Sequence, residues 1–280
     1  MPTLPANLIS LLQSARVLVV GDTMLDRYWF GEVERISPEA PVPVAKIGRM
    51  DQRAGGAGNV ARNIAALGGR AGLLSIVGED EAANELEKIV QSSGVQTFLE
   101  HDETIATTVK LRVLSRNQQL LRIDFEEKPS QDVLERLNRR FRSLLPDYDA
   151  VILSDYGKGC LFQVADMIDF AREHNKPVLI DPKGDDYEKY AGAYLITPNR
   201  NELRQVVGSW GNEAELTEKA EALLPSAAGD IVSSGKGKIK FYSTHERWFG
   251  MTYPEDKAIV KAEIAKKIEA GYYPDKLWEK

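Results

Sequence analysis

The sequence predicts an α/β fold, a mainly parallel sheet flanked by helices and carrying a small β lid. Three observations carry that expectation. Apolar runs of strand length alternate with helical patterns, the signature of a parallel sheet whose crossovers are helices. Four of the strand-like runs end in polar or glycine-containing turns, at Gly21-Asp22, Ser154-Asp155, Asp181-Pro182 and Thr197-Pro198-Asn199. Two stretches, 28–50 and 104–127, break the rhythm with clustered β-formers.

Taken in order, ARVLVVGD reads as the first strand and NVARNIAALG as the first long helical pattern. AGLLSIVGED reads as a strand and EAANELEKIVQSSG as a helix. Glu135-Arg136 and Arg139-Arg140 mark the solvated face of an amphipathic helix. DAVILSDYG, KPVLIDPKG and AGAYLITPN read as strands, with LFQVADMIDFAREHN as the helix after the first of them. Residues 28–50 and 104–127 admit two readings, edge strands of the main sheet or a separate small sheet. The separate sheet is favoured, because two insertions between α/β units need a shared place to bury their apolar faces. Ligands collect outside the carboxyl ends of strands in open α/β sheets, so the four turns are where chemistry is expected.

Composition narrows the function classes. At 280 residues, 43% hydrophobic and 28% charged, the chain fits a globular protein of one or two domains. No apolar run approaches the ~20 residues of a membrane span. MPTLPANLISLLQSARVLVV lacks a basic region followed by a small-residue cleavage site, so a cytoplasmic protein without membrane partners is expected. The single Cys160 excludes an internal disulfide framework, and His101, His174 and His245 are too scattered for a zinc cluster. A net charge of −6 argues against nucleic acid as a partner, while leaving room for a local basic pocket that takes a phosphorylated metabolite.

AGGAGNVARNIAALG, residues 54–68, places three glycines within four residues ahead of a helix. Glycine removes Cβ and admits a ligand close to the backbone, and a helix N-terminus offers unpaired N–H groups. The stretch is neither a Walker A loop, which needs a following Lys-Ser/Thr, nor a G-x-G-x-x-G fingerprint. Tight helix–strand packing accounts for such glycines equally well. Asp22 and Asp26, in GDTMLDRY, stand where carboxylates accept hydrogen bonds from sugar hydroxyls or cap a turn.

GDTMLDRY, GGAGN, LSDYGKG, IDPK and TPNRNE together resemble the ribokinase-like, or PfkB, family of carbohydrate kinases over residues 1–225, in the family's own motif order. GDTMLDRYWFGEVERISPEAPVPV is similar to the branch of that family acting on heptose phosphates. The resemblance implies transfer of the ATP γ-phosphoryl, with Mg²⁺, to the anomeric hydroxyl of D-glycero-β-D-manno-heptose 7-phosphate. It implies sugar contacts at Asp22, Asp26, Gly55, Gly56 and Asn59, with Lys158 meeting the phosphate already on the substrate. It implies nucleotide contacts at Lys183, Asn199, Arg200, Asn201 and Glu202, with Glu202 in the Mg²⁺ shell. It also implies a homodimer through the lid strands.

The chain departs from the family after Glu202. The signature D-[TS]-x-G-A-G-D, whose last Asp is the family's base and whose glycines form an anion hole, has no counterpart there. Ala227-Ala228-Gly229-Asp230 keeps only its last letters and leads into IVSSGKGKIKFY, a strand-like run. Residues 226–280 therefore read as an atypical C-terminal segment, and the catalytic base is left unassigned. Three functions stand at this point: the kinase, a sugar-phosphate-binding protein with little turnover, and a structural or dimerisation module.

Overall fold

The computed structural model describes residues 8–116, 118–212, 214–220 and 256–271. Contacts divide the chain into two compact units, Leu12–Lys238 and Met1–Leu11 with Ile239–Lys280. Residues 221–255 and 272–280, most of the segment expected to be atypical, lie outside the described residues. Within that segment one helix is described, Asp256–Glu269.

The larger unit is built on six parallel strands. They are β1 (Arg16–Gly21), β4 (Arg70–Gly78), β5 (Gln96–Asp102), β8 (Ala150–Ser154), β9 (Val178–Asp181) and β10 (Leu195–Ile196), ordered β10-β9-β8-β1-β4-β5. After α1 (Leu8–Ser14), helices α2 (Ala57–Ala66) and α3 (Glu81–Gln91) cover one face of the sheet, and α4 (Gln131–Leu144) and α5 (Val164–Glu173) the other. The period-2 alternation of a strand sorts the two cores. Leu18 and Val20 of β1 pack with Leu137, Phe141, Met167 and Ile168, while Val19 between them packs with Ala57, Ala61, Leu86 and Val90. The chain leaves β1 toward β4 on one side and returns as β8 on the other, so β1 is the switch point of a doubly wound sheet.

The two interruptions form a separate sheet, ordered β3-β2-β6-β7. Its strands are β2 (Thr23–Ile36), β3 (Pro43–Gly56), β6 (Val109–Ser115) and β7 (Gln118–Phe125). They exceed the expected 28–50 at both ends, because β2 starts directly after Asp22 and β3 runs into the glycines, with Thr23 opposite Gly56. The glycines hide that strand from a propensity reading. β5, QTFLEHD, escaped the sequence reading for a related reason: only Phe98 and Leu99 in it are large apolar residues. Among the described residues no helix is long and apolar enough to cross a membrane.

The lid hairpin is tied to the main sheet by Asp102, at the end of β5. It is 3% exposed and accepts the Thr104 N–H at 3.0 Å, the Thr104 hydroxyl at 2.6 Å and the Ser130 N–H, just before α4, at 2.8 Å. Burial alone would raise its pKa, but these bonds outweigh burial and hold the carboxyl at about 2. The unfolded value is ~3.9, so the folded carboxylate is the more acidic. Its stabilisation is then complete at neutral pH and is lost as pH falls from ~4 through ~2. Asp102→Asn is expected to cost ~1–3 kcal/mol at pH 7, with the penalty shrinking in acid. Urea unfolding at several pH values checks this, and a penalty independent of pH would contradict it.

Candidate functional site

The four turns singled out in the sequence lie on neighbouring strands. Gly21-Asp22, Ser154-Asp155, Asp181-Pro182 and Thr197-Pro198-Asn199 end β1, β8, β9 and β10, which are adjacent in the sheet. The parallel ladder continues past the strand ends, from the Asp22 N–H to the Ser154 carbonyl at 3.2 Å and from the Asp155 N–H to the Asp181 carbonyl at 2.9 Å. Residues far apart in sequence thereby form one crescent at the carboxyl edge.

Asp22 is 4% exposed, and its carboxylate is turned into the loop after β8. It accepts the N–H groups of Tyr156 at 2.9 Å, Lys158 at 2.9 Å and Cys160 at 3.0 Å. Burial still holds its pKa above the ordinary value, against those three bonds. The carboxylate thus orders the DYGKGC loop, a role that the expected contact with sugar hydroxyls did not include. Its backbone carbonyl accepts the first amide of α2, Ala57, at 2.9 Å.

Asp26, two strand steps on, faces the glycines. A Cβ on Gly55 would stand 2.4 Å from the Asp26 carboxylate, and one on Gly56 2.2 Å from the Asp22 carbonyl. Gly56 also has φ of +56°, a left-handed backbone that favours glycine. Gly56 is therefore required where the backbone packs on the Asp22 carbonyl, Gly55 leaves room for the Asp26 carboxylate, and α2 has no side-chain cap. Asn59 is exposed in the first turn of that helix. Arg112 of β6 meets Asp26 at 2.6 Å, a residue that the sequence reading missed because TVKLRVL carries no motif beyond strand alternation. Lys158, expected to meet a phosphate, lies 2.5 Å from Glu126 just after β7.

On the other half of the crescent, Asp155 is 6% exposed and accepts the Tyr190 hydroxyl at 2.6 Å, the Lys189 ammonium at 2.9 Å and the Gly157 N–H at 2.7 Å. Burial and the bond to Asp155 push the Tyr190 phenol pKa up, which keeps it a donor. That phenol oxygen in turn accepts the Lys183 N–H at 3.0 Å. The Lys183 ammonium lies 3.6 Å from Glu202. Asn199 and Glu202 form a capping box on α6 (Arg200–Val207): Asn199 accepts from the N–H groups of Asn201 and Glu202, and Glu202 accepts from that of Asn199. Arg200 reaches over the Trp210 ring.

Asp181 is held above its ordinary pKa by burial first, and further by the negative charges of Glu202 and Asp155, against a hydrogen bond from Ser154 and the charge of Lys183. A divalent cation would relieve that crowding. Among the described residues no three acidic, histidine or cysteine side chains close on one point. An Mg²⁺ held here would take one or two of these carboxylates and complete its shell with phosphates and water, the coordination Mg²⁺ favours. His101 and His174 approach the backbone carbonyls of Gly78 and Phe170, and His245 lies outside the described residues.

The chain belongs to the PfkB family: the model of the pfkB family carbohydrate kinases matches residues 14–258. It is 54% identical over 209 residues to "D-beta-D-heptose 7-phosphate kinase" of Bordetella bronchiseptica, an alignment covering 75% of this chain and 67% of that protein. It is 50% identical over 275 residues to "Bifunctional protein HldE" of Hahella chejuensis, covering 94% of this chain and 57% of that one. The chain thus spans about two thirds or less of these curated relatives. A solved carbohydrate kinase from Agrobacterium tumefaciens shares the fold, with a TM-score of 0.60 at 18% identity over 76% of this chain and 68% of that one.

Replacing Asp22 by Ala leaves three loop amides without their acceptor. It is expected to cost ~2–3 kcal/mol and to speed proteolytic nicking within residues 155–160. Unchanged cleavage there, measured by limited proteolysis and mass spectrometry, would contradict the anchoring role.

Proposed function

We propose that this chain is an ATP-dependent kinase of D-glycero-β-D-manno-heptose 7-phosphate, acting on the anomeric hydroxyl. The observation that carries the proposal is the crescent, which sets Asp26 and the glycine entrance of α2 on one side and Asp181, Lys183 and Glu202 on the other. The name of the Bordetella bronchiseptica relative, at 54% identity, supplies the sugar phosphate. Asp26, Gly55, Gly56 and Asn59 would hold the sugar, with Asp22 shaping the pocket from behind. Lys183, Asn199, Arg200, Asn201 and Glu202 would hold the nucleotide, and Glu202 the Mg²⁺. That ion, when bound, neutralises the phosphate charge as the phosphoryl group moves.

The protein residues supply alignment more than covalent chemistry, as phosphoryl transfer requires. Asp26 is tethered by Arg112, so a hydroxyl bound there is fixed relative to the lid. The Asp155–Tyr190–Lys183 chain fixes the donor side. A second reading, sugar-phosphate binding with little turnover, is favoured by the missing D-[TS]-x-G-A-G-D sequence. Loss of a general base alone removes ~10²–10⁴ in rate. A homodimer through the lid is supported by β7, an edge strand that is exposed along its whole length, including Leu121 and Phe125.

ADP release with heptose 7-phosphate, ATP and Mg²⁺, run beside a calorimetric titration of the sugar phosphate, separates the readings. Turnover of ~1–100 per second supports the kinase, saturable binding without turnover supports the second reading, and no binding contradicts both. Asp26→Asn is expected to weaken sugar binding by ~1–3 kcal/mol, leaving ATP binding unchanged in the same titration.

A further inference from the structure

The loop after β8 stands in the middle of the crescent, because β8 lies between β1 and β9 in the sheet. Tyr156, the second residue of that loop, is 36% exposed. Its backbone is fixed from both sides. Its own N–H is held by the Asp22 carboxylate at 2.9 Å, and the preceding Asp155 is held by Tyr190, by Lys189 and, through its N–H, by the Asp181 carbonyl. Gly157, next in the chain with φ of +70°, brings the loop against the nucleotide half, since a Cβ there would stand 3.7 Å from the Lys183 side chain. The ring is thus presented from a rigid base, which leaves less freedom to lose when a ligand binds.

The phenol has a hydrogen bond to give. Its hydroxyl makes none among the described residues. Burial raises its pKa first, and the negative charges of Asp181, Glu202 and Asp26 raise it further, so the group keeps its proton at neutral pH. Those three carboxylates come from both halves of the crescent, and the two on the nucleotide side act on the phenol more strongly than Asp26 does.

The ammonium groups around it are already engaged. Lys183 lies 3.6 Å from Glu202, Lys189 2.9 Å from Asp155 and Lys158 2.5 Å from Glu126. A polyphosphate entering the crescent therefore meets three lysines that carboxylates have balanced and one O–H donor without a partner. A hydrogen bond to an anionic oxygen is stronger than one between neutral groups. Transfer also requires the moving phosphate to lie between the nucleotide and the acceptor hydroxyl. With the nucleotide at Lys183 and α6 and the sugar at Asp26, the phosphate that comes over the loop after β8 is the terminal one.

We propose that the Tyr156 hydroxyl donates to the terminal phosphate of the bound nucleotide and thereby makes the chain prefer a nucleoside triphosphate to a diphosphate. This rests on the kinase reading above and adds a residue that the sequence did not single out. Calorimetry on the full chain, with Mg²⁺ throughout, would compare ATP, ADP and heptose 7-phosphate in the parent and in Tyr156→Phe. The variant keeps the ring and loses only an O–H that bonds nothing among the described residues, so the melting temperature should hold. ATP is expected to bind about 10- to 100-fold more weakly. ADP and heptose 7-phosphate should stay within about twofold of the parent, so that the preference for ATP shrinks by the same factor.

Unchanged affinity for all three ligands overturns the proposal. Equal losses for ATP and ADP overturn it too, by placing the hydroxyl on the inner phosphates, and a loss confined to heptose 7-phosphate does so by placing it on the sugar. A melting temperature that falls by several degrees overturns it in favour of a structural role. A parent chain that binds ADP as tightly as ATP overturns the selectivity while sparing the nucleotide site. A parent that binds neither nucleotide overturns the kinase reading itself.

Discussion

The buried carboxylate of Asp22 is the constraint on which the site depends. A carboxylate out of water is costly unless its lone pairs are filled, and here three amides of one loop fill them, from Tyr156, Lys158 and Cys160. The end of β1 is thereby locked to the loop after β8, across the switch point of the sheet. Asp155, at the start of that loop, then holds Tyr190 and Lys189, and Tyr190 holds the backbone of Lys183. A continuous series of hydrogen bonds and one ion pair runs from the first strand to Glu202 on α6.

The same aspartate also fixes the lid. Its carbonyl accepts the first amide of α2, and the next residue opens β2, with Thr23 opposite Gly56. The lid is therefore attached at the residues proposed to shape the sugar pocket, and side chains at Gly55 or Gly56 would meet Asp26 or the Asp22 backbone.

Charge is partitioned between the two halves. Carboxylates crowd the edge formed by β8, β9 and α6, enough to hold Asp181 above its ordinary pKa once burial has raised it. Arginines and a lysine crowd the lid. The bulk charge of the chain conceals this partition, since a sum over the sequence carries no information about which face a residue occupies.

The α/β class, the helices and most strands were legible in sequence, because hydrophobic periodicity is local and each element in Leu12–Lys238 needs its own apolar face. The motifs GDTMLDRY, GGAGN, LSDYGKG and TPNRNE were legible too, as was the absence of D-[TS]-x-G-A-G-D. Strand order was not: β5 is too polar to stand out, and only the sheet shows that the four polar turns end four neighbouring strands. Nor was the direction of any carboxylate. Asp22 and Asp26 are four residues apart in one motif, yet one faces inward to backbone amides and the other outward to Arg112. Strand alternation puts both on nominally the same side, and what separates them is that Asp22 stands in the break between β1, which ends at Gly21, and β2, which begins at Thr23. That break, like the placement of Arg53 and Arg112 beside the Tyr28 ring, is decided by pairing between strands distant in sequence, and so belongs to the tertiary structure alone.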